Sequence, residues 1–554
     1  MKKILCLVLS LALLLGCCVF AQADGAYEGK LVILHTNDVH GHAVANDTQF
    51  GYARVAALKK QLEAQGASVL LLDAGDAIQG APIVNMSYGK EAVNFMNAAG
   101  YDAATLGNHE FDWGLDNILQ LATDVATYPY LCANILYIAG GNPVFTPNKV
   151  FETANGLKVG VFGLDTPETM TKAHPDKVKG VTFLQGEELV ACAQAQIDEL
   201  TAAGCDVIVA LAHLGNDDES APNRSIDILP QLTGLDLFID AHSHTVLDGG
   251  VYDENSTTLR VSTGSYSEAI GYVVIDVDKS GEEVVKTIDA ELYDFTDDQS
   301  VALLTGTGLV ADPEVDKLVN DVDAAVDAEL GAAFAKTEVM LDGNKAPGVR
   351  TQETNLGDFA ADAILWSAQQ YFGDQVVAAL TNGGGIRASI EIGDVTMKDM
   401  KTVFPFGNEV AILTVTGAEL LEALEAGTFS TPEALGAFPQ VAGIEFTIDT
   451  SVEYIQGEQY LNSTYFAPAN PGSRVTIKTV GGKDFDLEAM YTIATNDFTA
   501  AGGDTYAAFA YAYTQTGVKS GIVLEDALIN YTSTVLNGVI GEQYAEPAGR
   551  IIIK

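Results

Sequence analysis

Five groups of side chains that can bind metal ions occur in the N-terminal part of this chain. They are Asp38-x-His40, Asp73-Ala-Gly-Asp76, Gly107-Asn108-His109-Glu110-Phe111-Asp112, His213 and His242-Ser-His244. Imidazole nitrogens and carboxylate oxygens are donors that suit divalent cations of borderline hardness. All eight histidines of the chain precede residue 245, so histidine-based metal chemistry belongs to this part.

Each group also has an ordinary structural interpretation when it is taken alone. Asp76 could cap a helix, and Gly107 with Asn108 could form a turn. A single His213 more often packs than binds a metal. The positions favour chemistry, because four of the five groups follow an apolar run. Residues just past the carboxyl end of a buried strand face the crevice where open α/β sheets bind ligands.

The apolar runs predict a sheet of buried, largely parallel strands. These runs are residues 31–34, 69–72, 159–164, 207–211 and 237–239. A run without a polar face is typical of a strand that is buried on both sides. Residues 54–64 and 187–203, which lie between such runs, have helical spacing. The alternation predicts helices that flank the sheet.

A second domain is predicted beyond a turn-rich junction. Asp312-Pro313 can open a helix, and residues 315–330 carry an apolar stripe. Thr354 can cap another helix, and Thr416 with Glu419 forms a capping box. The predicted division is a first domain at 28–312, a bridging helix and linker at 313–336, and a second domain at 337–554.

The charge balance argues against polyanionic partners. The 554 residues include 75 acidic and 29 basic side chains, which gives a net charge of −46. Such a surface repels nucleic acid polymers and anionic membranes. A small anionic substrate remains compatible, because charges more than about 10 Å away are largely screened at physiological salt.

The N-terminus predicts export to the periplasm, the cell surface or the medium. Two lysines precede an apolar run at residues 4–15, which is too short for a membrane span. Ala-Gln-Ala at 21–23 fits a cleavage site and defines a predicted signal peptide at 1–23. A competing lipobox would leave Cys17 as a lipid anchor. No other stretch is apolar enough to span a membrane.

Three cysteines remain beyond the signal region, namely Cys132, Cys192 and Cys205. None belongs to a C-x-x-C pair, which excludes zinc-ribbon and thioredoxin-like sites. The sequence leaves open whether Cys192 and Cys205 form a disulfide or stay free.

The motifs together resemble the calcineurin-like metallophosphatases. HTNDVHGH, GDAIQG, GNHEFDWG and AHSH are similar to the 5′-nucleotidase branch of that superfamily. TNLGD at 354–358, NGGGIR at 382–387, PFGN at 405–408 and NDFTAAGGD at 496–504 extend the resemblance through the C-terminal part. It implies an α/β fold, with an N-terminal metallophosphatase β-sandwich flanked by helices and a smaller mixed α/β C-terminal domain. In relatives the second domain rotates, and the bridging helix is the predicted hinge region.

The resemblance implies two divalent metal ions, for which zinc, manganese, cobalt and iron are all suitable. The predicted ligands are Asp38, His40 and His244 for one ion, Asn108, His213 and His242 for the other, and Asp76 between them. His109, with Asp112 beside it, would stabilise charge on the phosphoryl group and its leaving oxygen.

The resemblance also implies that the second domain binds a nucleotide. Phe406 and Phe498 would sandwich the base, and such stacking contributes about 1–3 kcal/mol per base. Without the resemblance, both rings would be assigned to core packing. Arg350 and Arg387 offer forked donors to a phosphate. The other predicted contacts are Asn382 at the glycine-rich turn, Asn408 at the base and Asp504 at the ribose.

The implied function is phosphate removal from nucleoside 5′-monophosphates, with nucleoside di- and triphosphates and UDP-sugars as further substrates. A metal-activated water would attack the phosphorus. Two alternatives stay open: a 2′,3′-cyclic-nucleotide phosphodiesterase with 3′-nucleotidase activity, and a non-catalytic nucleotide-binding surface protein. The complete set of ligands favours an enzyme.

Overall fold

The computed structural model describes residues 27–154, 156–280, 285–295, 300 and 308–554. The predicted signal peptide at 1–23 and the predicted lipid anchor at Cys17 lie outside these ranges. Within them, no helix combines the length and the apolar character that a membrane crossing needs. Cys192 and Cys205 carry free thiols, so the disulfide that the sequence left open is not formed.

Two sheets pack face to face in the first domain, which confirms the predicted sandwich. The five-stranded sheet has the order Val285–Asp294, Ala269–Asp278, Leu31–Thr36, Ser68–Asp73 and Ala103–Ala104. The six-stranded sheet has the order Val251–Tyr252, Leu259–Val261, Leu237–Ile239, Val207–His213, Lys158–Asp165 and Asn148–Glu152. A small third sheet pairs Ile135–Tyr137 with Val181–Phe183.

The strand Leu31–Thr36 shows why these runs are apolar throughout. Leu31 and Ile33 belong to the core between the two sheets. Val32 and Leu34 belong to the core beneath the helices. Because side chains alternate across a strand, residues 31–34 fill a core on each of its two faces, which explains their apolar character.

Helices cover the outer faces of the sandwich, as predicted for 54–64 and 187–203. They are Gly51–Ala64, Pro82–Asn85, Lys90–Ala99, Leu115–Gln120, Thr169–Lys172, Glu187–Ala202 and Ser225–Ile228. Single turns at Asn108–Phe111 and Pro175–Val178 border the site described below.

The predicted bridging helix spans Pro313–Leu330, and Asp312 caps it by accepting backbone N–H groups of the first turn. Val315 and Val319 pack into the core of the first domain. From the second domain, Lys398 reaches two aspartates of this helix at 3.2 and 2.6 Å. The helix is thus anchored on the first domain and touches the second. We keep 313–336 as the proposed connection between the domains.

The second domain is mixed α/β, as predicted. Its five-stranded sheet has the order Pro439–Ala442, Val376–Asn382, Met490–Asn496, Glu409–Thr416 and Val518–Val523. A four-stranded sheet has the order Lys483–Asp484, Val475–Val480, Ile444–Ile448 and Ile551–Ile553. A three-stranded sheet has the order Gly393–Thr396, Ala333–Thr337 and Val539–Ile540. A two-stranded sheet pairs Gln456–Gln459 with Phe466–Pro468. The helices are Asn355–Phe372, Met397–Val403, Gly417–Ala426, Asp497–Ala500, Ala507–Thr516 and Leu524–Thr534. The predicted caps at Thr354 and Thr416 are present.

Candidate active site

The five predicted groups meet at one edge of the sandwich. Leu31–Thr36 runs parallel to Ser68–Asp73, and Val207–His213 runs parallel to Leu237–Ile239. Because parallel strands end at the same edge of a sheet, the loops that follow them lie side by side. Three overlapping groups with ligand atoms within 4.8 Å of one another result: Asp38, His40 and His244; His40, Asp76 and His109; and Asp38, Asp76 and His213.

Asp76 occupies the centre of this cluster. Its Oδ2 lies 3.7 Å from Nε2 of His40 and 3.1 Å from Nε2 of His213. Asp38 Oδ1 lies 3.4 Å from Nε2 of His244. Burial raises the pKa of Asp76, but the imidazoles, His213 foremost, outweigh it and hold that pKa well below its usual value. An ionised carboxylate in this position can bridge two cations and offset their repulsion.

Among the predicted ligands, three buried side-chain atoms have no hydrogen-bond partner in the described part of the chain. They are Asp38 Oδ1, Asn108 Oδ1 and His213 Nε2. Nδ1 of His213 donates to the carbonyl oxygen of Ala74 at 2.8 Å, which leaves Nε2 as the free acceptor in the neutral ring. An unpaired buried polar atom costs about 1–3 kcal/mol, and a histidine held through its other nitrogen is typical of metal sites. The donor set therefore fits divalent cations.

His242 lies beside this cluster and is held by Glu168. The ring centroids of His242 and His213 are 5.1 Å apart. Nε2 of His242 lies 2.9 Å from Oε2 of Glu168, so Nδ1 is the nitrogen left for a metal ion. Burial raises the pKa of Glu168, but Lys172 and His242 outweigh it and lower that pKa to about 2.

The backbone at the predicted ligands is strained. Five of the seven adopt a positive φ: Asp38 at 49°, His40 at 46°, Asp76 at 59°, His242 at 74° and His244 at 57°. A residue with a side chain loses of order 1–3 kcal/mol in this conformation, and such strain concentrates at functional sites. The fold thus loses stability at these positions, and the resulting backbone conformation directs these side chains to one point.

Glu110 ties two ligand loops together, and the sequence interpretation gave it no role. Its buried carboxylate accepts the backbone N–H groups of Asp76 at 2.8 Å, Ala77 at 2.9 Å and Gly107 at 2.7 Å. Burial, with the nearby charge of Asp76, raises the pKa of Glu110 to about 7. Gly107 allows the close approach, because a Cβ there would lie 2.3 Å from Oδ1 of Asp76.

His109 and Asp112 form the pair that the resemblance implied. Nδ1 of His109 lies 2.7 Å from Oδ2 of Asp112. Burial lowers the pKa of His109, but the carboxylates of Asp76 and Asp112 outweigh it and raise that pKa above its usual value. The Phe406 ring of the second domain stacks on the His109 ring, with centroids 5.5 Å apart.

Residues of the predicted metal site and the predicted substrate contacts line one cavity between the domains. From the first domain it is lined by Asp76, Asn108, His109, Asp112, His242 and His244. All seven predicted substrate contacts line it from the second domain: Arg350, Asn382, Arg387, Phe406, Asn408, Phe498 and Asp504. Asn382 donates to Asp504 at 2.9 Å, so these two already bind each other. Phe406 covers His109, while Phe498 packs against Gly503.

Further charged residues that carried no motif signal line the same cavity. They are Lys172, His174, Lys177, Asp217, Glu219 and Lys345. Lys172 lies 3.1 Å from Glu219 and 3.8 Å from Asp504 of the second domain. Lys345 is close to Arg350 and Arg387, and burial together with Arg350 lowers the pKa of Lys345. Nothing in the local sequence could have placed these side chains, because tertiary packing alone brings them here.

Comparison with known sequences identifies both domains. Residues 31–246 match the family described as calcineurin-like phosphoesterase, and residues 332–511 match the family described as 5′-nucleotidase, C-terminal domain. The 5′-nucleotidase of Vibrio cholerae is 29% identical over 568 residues, which cover 96% of this chain and 95% of that protein.

Two further comparisons agree. The trifunctional nucleotide phosphoesterase protein of Bacillus subtilis is 32% identical over 521 residues, which cover 88% of this chain and only 33% of that protein. The crystal structure of a 5′-nucleotidase precursor from Thermus thermophilus superposes with a TM-score of 0.75 at 28% identity, and covers 95% of this chain and 99% of that chain. The chain is therefore a metallophosphoesterase of the 5′-nucleotidase family, built from a calcineurin-like phosphoesterase domain and a 5′-nucleotidase C-terminal domain.

Proposed function

We propose that this protein is an exported phosphohydrolase that uses two divalent metal ions to release phosphate from nucleoside 5′-monophosphates. The observation that carries the proposal is the shared cavity. Predicted metal ligands from a cluster with unpaired buried atoms line it from the first domain, and the predicted substrate contacts form its nucleotide-binding wall from the second domain. The family supports it, since relatives across this length are named 5′-nucleotidases.

The ligands of the ions would be Asp76 and six residues around it, with Asp38, His40 and His244 on one side and Asn108, His213 and His242 on the other. Bound divalent ions lower the pKa of a water molecule and withdraw charge from the phosphoryl oxygens. Their identity would follow from availability, since zinc, manganese, cobalt and iron all accept these donors.

The protein side chains would bind the phosphate, stabilise the leaving oxygen and hold the base. Arg350 and Arg387 would hold the phosphate with forked hydrogen bonds. His109, held by Asp112, would donate a hydrogen bond where negative charge grows on the leaving oxygen. Phe406 and Phe498, which both line the cavity, would sandwich the base.

Lys345 supports a wider substrate range. It is a third cation beside Arg350 and Arg387, and its nearest carboxylate, Asp217, is 4.0 Å away. Two arginines suffice for one phosphate, so a further cation suits nucleoside di- and triphosphates or UDP-sugars. We therefore include these among the proposed substrates.

A substrate panel tests the proposal directly. Phosphate release is measured from AMP, ATP, UDP-glucose, 3′-AMP and 2′,3′-cyclic AMP, each with added manganese and with chelator. We expect chelator-sensitive release from the 5′-phosphates, restored by metal, and little from the last two substrates. Preferred turnover of 3′-AMP and the cyclic nucleotide would replace the proposal by the phosphodiesterase alternative, and no turnover with any metal would leave a nucleotide-binding protein.

A further inference from the structure

A buried glutamate connects the candidate metal centre to the second domain. Glu168 is 0% exposed and belongs to the first domain. Its Oε2 accepts the Ser220 hydroxyl at 2.7 Å and faces Nε2 of His242 at 2.9 Å. Its Oε1 accepts the hydroxyl of Tyr465, which belongs to the second domain, at 2.9 Å. Three donors thus converge on one carboxylate, and one of them comes from across the domain boundary.

Tyr465 reaches Glu168 from the hairpin formed by Gln456–Gln459 and Phe466–Pro468. It is only 4% exposed, and its hydroxyl is also 3.3 Å from Oε2 of Glu219. The contact therefore exists only while the two domains lie together. A buried hydroxyl of this kind needs its partner, because an unpaired polar group costs about 1–3 kcal/mol.

The residues that follow Glu168 in the sequence make a second contact between the domains. The carbonyl oxygen of Thr171 accepts the backbone N–H of Asp504, a proposed ribose contact, at 2.8 Å. Lys172 adds a charge contact to the same aspartate at 3.8 Å. The segment 168–172 thus touches the nucleotide-binding wall at one end and holds His242 at the other.

A carboxylate on the far nitrogen of a metal-binding histidine fixes the ring orientation and raises its basicity. Glu168 can do this only if its own orientation is fixed, and Ser220 with Tyr465 supplies that. We propose that Glu168 is a positioning residue for His242, and that Tyr465 completes its hydrogen bonding only in the closed arrangement, so that domain closure strengthens metal binding. The inference rests on the proposed function in taking His242 as a metal ligand.

The first test uses Glu168→Gln in the full-length protein. Affinity for Mn²⁺ is measured by competition with a chromophoric chelator, without substrate, and folding is checked by thermal unfolding of the metal-free protein. We expect metal binding to weaken by about 10–100-fold, the range for lost partners of metal-binding histidines. An unchanged metal affinity would overturn the role of Glu168.

The second test isolates the contribution of the second domain. Adenosine has a base and ribose but no phosphate, so it occupies the second domain without adding a phosphate ligand to the metal ions. In the unmodified protein we expect adenosine to tighten Mn²⁺ binding, and Tyr465→Phe to abolish this gain. Tyr460→Phe is the matched control, because the Tyr460 hydroxyl donates to Glu422 at 3.0 Å within the second domain.

The outcomes separate this inference from the proposed function. Retained tightening in Tyr465→Phe, or equal loss in Tyr460→Phe, would overturn the link between closure and the metal centre. Normal hydrolysis of AMP with an unaltered metal affinity in Glu168→Gln would refute the inference and leave the function standing. Weakened metal binding in Glu168→Gln, in a protein that hydrolyses no nucleotide, would support the inference and refute the proposed function.

Discussion

We propose that His109 acts in the transition state more than in substrate binding. It lies beside Asn108, borders the cavity, and is oriented by Asp112 at 2.7 Å. We expect His109→Asn to lower kcat for AMP by about 10²–10³-fold, the usual cost of one lost oxyanion donor, with a small change in KM. Steady-state kinetics would check this.

Asp112→Asn should show a weaker version of the same loss, because it disturbs only the orientation of the ring. His42→Asn is the control, since His42 contacts Gln49 and Tyr266 and is not a proposed ligand. A rise in KM at constant kcat in His109→Asn would show that this side chain binds substrate and does not serve the reaction step.

Phe406 should act on the base alone. Stacking contributes about 1–3 kcal/mol, so we expect Phe406→Ala to lower kcat/KM for AMP by roughly 5- to 150-fold. Ribose 5-phosphate has no base to stack, and its hydrolysis by the same variant serves as the control. An equal loss for both phosphates would mean that the ring acts through His109, on which it stacks.

At the scale of elements, the strands and the residues at their ends were predictable from the sequence. The contacts that join one loop to another were not. Residues 31–34 and 207–211 are apolar on both faces, which marks buried strands and points to the residues that follow them. Glu110 and Glu168 are different, because their partners are backbone amides and side chains from distant loops. No pattern of residue types encodes such contacts, so only the folded structure assigns them.

The turn at Gly107 gives a sharp test of loop geometry. Its φ is −113°, which alanine adopts freely, but a Cβ would lie 2.3 Å from Oδ1 of Asp76 and 2.7 Å from Nε2 of His213. We expect Gly107→Ala to fold, yet to lose most of its metal binding and turnover. Titration with Mn²⁺ and a thermal melt would check both.

Gly541→Ala is the matched control for that change. Gly541 has nearly the same backbone, with φ −115°, and also precedes a single helical turn. A Cβ there would meet only the ends of Gln543 and Glu338 side chains. If Gly107→Ala bound metal as well as Gly541→Ala does, the ligand loops would be more adaptable than their packing indicates.

We expect the TNLGD motif to serve stability in this fold. Asp358 is buried in the helix Asn355–Phe372 and accepts the backbone N–H of Ala548 at 2.7 Å, close to Arg550. The change would leave a backbone N–H group and Arg550 without this partner, and an unpaired polar group costs about 1–3 kcal/mol, so we expect Asp358→Ala to lower the free energy of unfolding by about that amount. Urea unfolding would measure it, with the exposed Asp374→Ala as the control. A loss of activity at full stability would instead assign the motif to the site.

The whole molecule combines a strongly negative surface with a cationic cavity wall. The net charge of −46 is spread over the chain, whereas Arg350, Arg387 and Lys345 gather opposite the ligand cluster. At physiological salt, only charges within about 8–10 Å act strongly on a bound phosphate. The local wall therefore decides anion binding, and the surface discourages polyanions.

At the same scale, we expect the domains to separate during turnover. Of the proposed nucleotide contacts, Asn382, Phe498 and Asp504 are buried at 4%, 7% and 4% exposure, whereas Arg350, Arg387, Phe406 and Asn408 are half-buried. We expect a nucleotide to reach the three buried contacts when the domains separate. The bridging helix Pro313–Leu330 packs on the first domain, so we place the proposed pivot near its contact with Lys398.

Locking the cavity mouth should therefore stop turnover, while locking the pivot should not. Asp217 and Lys345 face each other across the domains at the mouth, and Asp327 contacts Lys398 at the helix. After Cys192→Ser and Cys205→Ser, each pair is replaced by cysteines and joined with a short bis-maleimide. We expect cross-linking of 217 to 345 to reduce AMP hydrolysis to a small residual rate. The same protein before cross-linking corrects for the loss of Lys345, and the pair 327 and 398 should keep its activity. Full turnover with the mouth closed would mean that nucleotides enter without domain separation, and the coupling between closure and the metal centre would then have no role in the catalytic cycle.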